Sequence, residues 1–545
     1  MNTQQKNEVA MKVNQANLVK SLRFSFTHKT TVLSELMQNA RRAQATQVIF
    51  NFCPETQVLQ VIDDGGGIDS MEALLTVAES GWDVDLIERE CCFGIGFLSA
   101  LFACQYLSVT SKSGSMTVDT DEVLAFKPVT IIPINEWDGL TTIMLHEVDL
   151  DTDTITRELR RLARGFPIPV IFNGDIMERA AAIDSGLEFV MTDIGAVYLQ
   201  GLQEPMGAQY EFDLFLQGLP IYRSHQYSSE RHIIHLDSAR FHARLPDRDK
   251  LVDETEVITQ VKAVLAVEIE KRLLRLKAEK TPEAFVRYYA MMRHWHLLSL
   301  LNDVPVVPVE ALSEIKDYPV CDTEIFDDFE QQVAKAMTRA EIEARGIVSI
   351  DDDIRTEGAA RYLFAREKDY LIYNGKLDSG HWLLPLVQDL NAEELVIECI
   401  HETHEVQFQG DGCGIPVRFC EAYRIKLGGD EVEITADAVY QGQDHGELII
   451  VPKGDSSAQV LAQISSYRNE WDEYQQSTFE QDCDAFVALV VANTTTDPAQ
   501  ALKCLLPAFC GCPSLYGKSF ALALDGQGAV TSVAALSNGL DALSA

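Results

Sequence analysis

A multidomain fold of the α+β or α/β kind is predicted by three observations. The chain has 545 residues, more than one hydrophobic core can serve, so about three domains are expected. Segments with apolar residues at helical spacing interleave with short runs rich in β-branched residues, the pattern of helices layered on sheets. The apolar share of 46% and the charged share of 23% lie near the average for soluble globular proteins.

The elements follow in order. Leu18 and Leu22, then Val32, Leu36 and Ala40, predict two helices between Asn14 and Ala43. "QVIFNF" and "QVLQVIDD" flank "CPET" as strand, turn and strand, which puts Asp63 at a strand end. Residues 69 to 90 read as helix and then loop, and "CCFGIGFLSALFACQYLSVTS" as a glycine loop opening a buried helix. "DGLTTIMLHEV" reads as a strand, "TITRELRRLARGF" as a helix stopped at Gly165, and "PIPVIFNG" as another strand. A second unit begins near Met177, with strands in "YEFDLFLQGLPIYR" and a helix from about Glu254 to Glu279. Its stripe is Ile258, Val261, Leu265, Ile269, Leu273 and Leu276. Residues 322 to 353, rich in Asp and Glu, read as a boundary with a surface helix. Four regions result: 1–176, 177–300, an acidic helical connector at 301–355, and a mixed α/β region at 356–545.

Charge and cysteine content narrow the function classes. A net charge of −38, from 83 acidic and 45 basic residues, opposes non-specific attraction to nucleic-acid phosphates over most of the surface. The twelve cysteines show no paired CxxC units at zinc spacing, and are read as reduced thiols. The longest apolar run, "AFVALVVA" at 485 to 492, is core-sized rather than membrane-sized. The opening "MNTQQKNEVAMKVNQ" has no secretory signature, so a cytoplasmic protein without membrane association is the expectation.

One constellation carries chemistry. Glu35 and Asn39 are four residues apart, which on a helix places a carboxylate and an amide on one face. Asp63 at its strand end is followed by Gly65 and Gly67, which let the chain turn tightly and a flat ligand approach. Phe93, Gly94, Ile95, Gly96 and Phe97 open a helix, where free N–H groups favour phosphate. Thr141 adds a hydroxyl from a later strand. Each piece alone is commonplace: a solvated helix face, a turn, a lone GxG. Four in this order, each on the element its chemistry requires, form a strong signal.

With these motifs the sequence resembles the GHKL superfamily of Bergerat-fold ATPases, in particular the N-terminal ATPase domain of the ninety-kilodalton heat-shock chaperones. "ELMQNARRA" is similar to the N box, "DDGGGI" to the first glycine box, "CCFGIGFLSALFA" to the second and "TTIMLH" to the closing threonine strand. The likeness covers roughly the first third of the chain. It implies a Bergerat fold of helices on a mixed sheet for 1–176, a transducer-like middle domain for 177–300, and ATP with Mg2+ as ligands.

The resemblance also implies roles. Glu35 would be the general base and Asn39 the Mg2+ ligand. Asp63 would accept the adenine amino hydrogen, with Gly65 and Gly67 shaping the pocket. Thr141 would support the base through water, and the 93–97 segment would bind phosphates. "ARLPDRDKLVDETEVITQVKAVL" is similar to the chaperone stretch that carries an arginine to the γ-phosphate, making Arg248 the candidate and Lys250 the alternative. Both could equally be surface charges beside Asp247 and Asp249. Three positions depart from the chaperone pattern: Arg42 replaces an aspartate, Cys91 and Cys92 open the second glycine box, and Leu140 stands where a glycine precedes the threonine. A reduced lid and slow hydrolysis are expected.

Other signals point to structure. "GDGCGI" at 410 to 415 has no Glu-x-x-x-Asn helix before it and reads as a glycine turn, and neither "HETHE" nor "HIIH" has the spacing of a zinc helix. The expected function is a homodimeric ATP-hydrolysing conformational machine acting on a protein client. A nucleotide-gated scaffold with little turnover and a DNA-acting ATPase are the alternatives.

Overall fold

Burial along the first strands sets the architecture. Helices α1 (Gln15–Leu22) and α2 (Thr31–Arg42) lead into β1 (Val48–Cys53) and β2 (Val58–Asp63). Val48, Phe50 and Phe52 are buried, as are Leu59 and Val61, while the residues between them are partly exposed. Neighbouring side chains on a strand point to opposite faces, so this alternation builds a sheet with one covered face. The computed structural model describes residues 14–22, 24, 26, 28–77, 90, 96–202, 211–224, 231–244, 249–321, 323, 326, 328–442, 446–464, 467, 475–506 and 509–536.

The chain then runs through α3 (Met71–Leu75), α4 (Leu98–Ala103), β3 (Tyr106–Ser111), β4 (Gly114–Asp119), α5 (Thr120–Leu124), β5 (Thr141–His146), α6 (Thr152–Ala163), β6 (Val170–Phe172) and β7 (Asp175–Ile176). The sheet order is β4-β3-β5-β2-β1-β6-β7, antiparallel except where β1 meets β6. Val32, Leu33, Leu36 and Met37 of α2 and Ile155, Leu159 and Leu162 of α6 share one core with the buried strand residues. This is a helical layer on a mixed sheet. The helix expected to continue through "CQYLSVTS" stops at Cys104, whose backbone is extended. Leu107, Val109 and Ser111 alternate inward from there as a strand.

A second sheet holds β8 (Val190–Thr192), β9 (Gly195–Tyr198), β10 (Phe212–Leu216), β11 (Leu219–Arg223) and β12 (His232–Leu236), in the order β11-β10-β12-β9-β8. The β10–β11 turn has positive φ at Gln217 and Gly218, the tight hairpin geometry that matches strand twist. This turn reaches the first sheet's helices, because the Gln38 side-chain amide donates to the Gln217 carbonyl at 3.1 Å. Helix α7 (Glu254–Glu279) buries Val257, Val261, Leu265, Ile269, Leu273 and Leu276. Ile258, expected to begin the stripe, is only partly buried, and Val257 takes its place at the four-residue spacing.

The chain divides into two compact units, 1–300 and 301–545. In the second, Glu330–Gln332, Leu312–Ile315, Leu371–Tyr373, Ile347–Ser349 and Val387–Asp389 form one five-stranded sheet in that order. The acidic helical connector read at 301–355 is therefore corrected. Three of these strands come from it, and the boundary expected at 355 falls inside the sheet. Its charges lie outside a buried set that includes Leu312, Ile342 and Ile347. Two further sheets, of three and four strands, share a core with helices Ala360–Glu367 and Gln476–Thr494. Among the described residues no helix is long and apolar enough to cross a membrane.

Candidate functional site

Helix α2 turns one face into the core and leaves Glu35, Asn39 and Arg42 on another, at the i, i+4, i+7 spacing of a single helical stripe. Glu35 is only 2% exposed, and Asn39 is half-buried. Gly96 fits against the Glu35 carboxylate. A Cβ built on Gly96 would overlap Oε2 and stand 2.9 Å from Cδ. The Gly96 carbonyl accepts from the Ser99 hydroxyl at 2.6 Å and the Ser99 N–H at 3.0 Å, which fixes the turn into α4.

Strand pairing brings the other half of the constellation together. Asp63, the last residue of β2, pairs with Thr141, the first of β5. Its Oδ1 accepts the Gly65 N–H at 3.0 Å. The glycine turn is stitched to the end of α2 by the Gly66 N–H, which donates to the Ala43 carbonyl at 2.8 Å. A Cβ at Gly65 would lie 2.6 Å from that of Ala43, so the close approach needs glycine. Gly67 has φ +76°, and its missing Cβ would meet the Trp137 ring at 2.8 Å. The adjacent aspartates serve different purposes. Asp64 pins the loop between α2 and β1 by accepting the Thr46 hydroxyl and the N–H groups of Thr46 and Gln47, whereas burial pushes the Asp63 carboxyl above its ordinary pKa.

Two groups at this site were not visible in the sequence pattern. The buried Ser111 hydroxyl lies 2.8 Å from Thr141 Oγ1 and accepts the Ile68 N–H at 2.9 Å, so it links β5 to the glycine turn. Glu90 is buried against α2, where it pairs with Arg41 and bonds Arg42 Nε at 3.0 Å. Burial raises the Glu90 carboxyl, but the hydrogen bonds and charges of Arg41 and then Arg42 outweigh this and hold its pKa below the usual range. Arg42 Nη2 is buried without a hydrogen bond. A local signal for either group is lacking, since both depend on contacts remote in sequence.

The remaining expected residues separate. Phe93, Gly94, Ile95 and Arg248 lie outside the described residues. The Phe97 side chain is in the hydrophobic core, which leaves only its backbone for a ligand. Lys250 is exposed, and its neighbour Asp249 lies 4.0 Å from His28, just before α2. A cavity of about 640 Å³ next to α2 and α4 is lined by Thr31 and Ser99 but by none of Asp63, Gly65, Gly67 or Thr141. In the second unit the "GDGCG" turn donates the Asp411 and Gly412 N–H groups to the buried Asp482 carboxylate at 2.7 and 2.9 Å.

Among the described residues no cluster of three or more His, Cys, Asp or Glu side chains could hold a metal by itself. The half-buried amide of Asn39, a turn from Glu35, suits Mg2+, which commonly takes one or two protein oxygens and completes its shell with water and substrate phosphate. No curated protein matches the chain. Residues 27–140, which contain Glu35, Asn39, Asp63, the glycine turns, Ser111 and Trp137, match the histidine kinase-, DNA gyrase B-, and HSP90-like ATPase family, and this supports placing that part of the chain in the GHKL superfamily.

Proposed function

We propose that the protein binds and slowly hydrolyses ATP with Glu35 as the general base. The observation that carries this reading is the buried Glu35 carboxylate held against Gly96, on a helix stitched to the Asp63 turn. Asp63 accepts the adenine amino hydrogen on the carboxylate oxygen that Gly65 leaves free. Thr141, held by Ser111, supports the base. Glu35 orients a water for in-line attack on the γ-phosphorus and takes its proton as the bond to the β-phosphate oxygen breaks. Bound Mg2+ would supply charge neutralisation at the phosphates. Asn39 would hold it through one oxygen, and Arg248 or Lys250 is assigned to the γ-phosphate. The position of Asp249 beside His28 supports this last assignment.

The same reading makes the protein a conformational machine acting on a protein partner. Nucleotide-dependent movement of α2 would reach the second sheet through the Gln38 to Gln217 bond. A homodimer is supported by the C-terminal hairpin, Ser519–Leu524 with Val530–Leu536, which among the described residues is a two-stranded sheet exposing Phe520, Leu524, Val530, Val533 and Leu536. Such a ribbon is marginal by itself. From Pro498 to Leu536 the only charged residues are Lys503, Lys518 and Asp525, so a second copy of this strongly acidic chain meets little repulsion there. The testing experiment is phosphate release from ATP by the wild type beside Glu35→Ala. Turnover that survives the substitution removes the proposed base.

A further inference from the structure

Two extended segments of the C-terminal unit run antiparallel through a shared corner. Val396–Ile400 pairs with Ala422–Leu427 so that Ile400 faces Ala422, and His404–Gln409 pairs with Gly414–Cys420 so that His404 faces Phe419. Between these ladders residues 401 to 403 oppose only 420 and 421, a bulge whose extra residue is accommodated by His401 at φ +53°. The corner is tied by the Glu421 N–H to the Ile400 carbonyl at 3.0 Å and the Thr403 N–H to the Phe419 carbonyl at 2.9 Å. This crossing brings Cys399 and Cys420, one from each segment, close enough for each thiol to act on the other.

The two thiols differ in access. Cys420 is 4% exposed and lies 3.7 Å from the Val451 carbonyl, whereas Cys399 is half-buried. Arg418, which also pairs with Glu405 at 2.9 Å and Glu402 at 3.5 Å, places positive charge beside Cys399. The neighbouring Cys420 thiol brings the Cys399 pKa down to about 7, with burial opposing and Arg418 assisting. Thiolate character with access is what peroxide chemistry selects, and a second thiol in contact serves as the resolving group.

We propose that Cys399 and Cys420 form a redox modification site, in which a peroxide oxidises Cys399 and Cys420 then closes a disulfide across the corner. The Cys399 thiolate attacks one peroxide oxygen, the O–O bond breaks, and the departing hydroxide takes a proton to leave as water. Cys399 is now a sulfenic acid. The Cys420 sulfur attacks the Cys399 sulfur, the S–O bond breaks, and hydroxide leaves as a second water with the Cys420 proton. Two thiols and one peroxide thus give one disulfide and two waters, and the bond locks the two ladders together.

The test treats the reduced full-length chain with hydrogen peroxide and maps its peptides without reductant. The expected product is a cross-link between the peptides of Cys399 and Cys420, lacking two hydrogens and reversed by dithiothreitol. In Cys420→Ser the sulfenic acid persists at Cys399 and is captured by dimedone. In Cys399→Ser, Cys420 stays a thiol. The exposed Cys53, Cys510 and Cys512 are internal controls. Oxidation confined to them, a cross-link from Cys399 to any other cysteine, or Cys399 reaching sulfinic acid beside an intact Cys420 overturns the proposal.

Discussion

Gly96 and Glu35 are fitted so closely that the glycine has no room for a side chain: a Cβ at 96 would overlap the carboxylate of the general base proposed here. Gly96→Ala therefore moves Glu35 rather than removing it. The expected result is a fall in kcat on the order of a hundredfold, the scale of lost general-base assistance, with a much smaller change in nucleotide affinity. Steady-state phosphate release beside equilibrium nucleotide binding checks it.

Asp63→Asn replaces a charged acceptor with an amide. ATP binding should weaken by about 1.5–3 kcal/mol, the range for a hydrogen bond to a charged group, as measured by titration calorimetry. Its pH dependence has a definite sign. Burial raises the Asp63 pKa, the Gly65 N–H lowers it and the Asp64 charge raises it, for a net upward shift. The folded carboxyl therefore holds its proton more tightly than the unfolded chain does, and ionising it opposes folding as pH rises from the unfolded value through the folded pKa. Affinity for ATP rises over that same window, with a midpoint above the ordinary aspartate value, and Asp63→Asn abolishes this component.

Glu90→Gln leaves two arginines of α2 without their carboxylate, one of them Arg42 with a side chain 3% exposed. Removing one partner of a buried pair costs about 3–5 kcal/mol, and denaturant unfolding should show a loss near the lower end, because Arg41 can reach solvent. The Glu90 pKa is depressed in the fold, so its contribution is full above the unfolded value and fades as pH falls through the folded one. The variant should therefore lose part of the wild type's acid sensitivity below about pH 4.5, the ordinary glutamate range.

Ser111→Ala removes the link between Thr141 and the Ile68 N–H. The part-buried Ile68 N–H and the buried Thr141 hydroxyl then lose their partner, which costs about 1–3 kcal/mol. Thermal unfolding should register that loss, together with weaker ATP binding as the glycine turn loosens.

Leu265→Ala tests the stripe of α7. Leu265 is fully buried, and a cavity there should destabilise the N-terminal unit by about 2–5 kcal/mol, whereas Ile258→Ala, at a partly buried position, should cost markedly less.

What the sequence revealed at the site was local. Glu35 and Asn39 are tied by helix spacing, Asp63 by its strand end and Thr141 by its strand start. The missed groups depend on sheet order and distant contacts: Ser111 reaches Thr141 only because β3 pairs with β5, and Glu90 meets Arg42 from 48 residues away. The end of the helix at 98–103 carries no local signal, since no glycine or proline separates it from β3 and Cys104 ends it simply by turning extended. At 301–355 the surface Asp and Glu dominate the sequence pattern and mask the buried Leu312, Ile342 and Ile347.

The central claim is tested most directly by measuring ATP hydrolysis of the full chain with Mg2+, comparing wild type, Glu35→Ala and Asp63→Asn, with ATP binding followed in the same samples. Slow wild-type turnover, binding without turnover in Glu35→Ala, and ATP binding weakened by about 1.5–3 kcal/mol in Asp63→Asn are expected. ATP binding that is indifferent to Asp63, or hydrolysis that persists without Glu35, would contradict the claim.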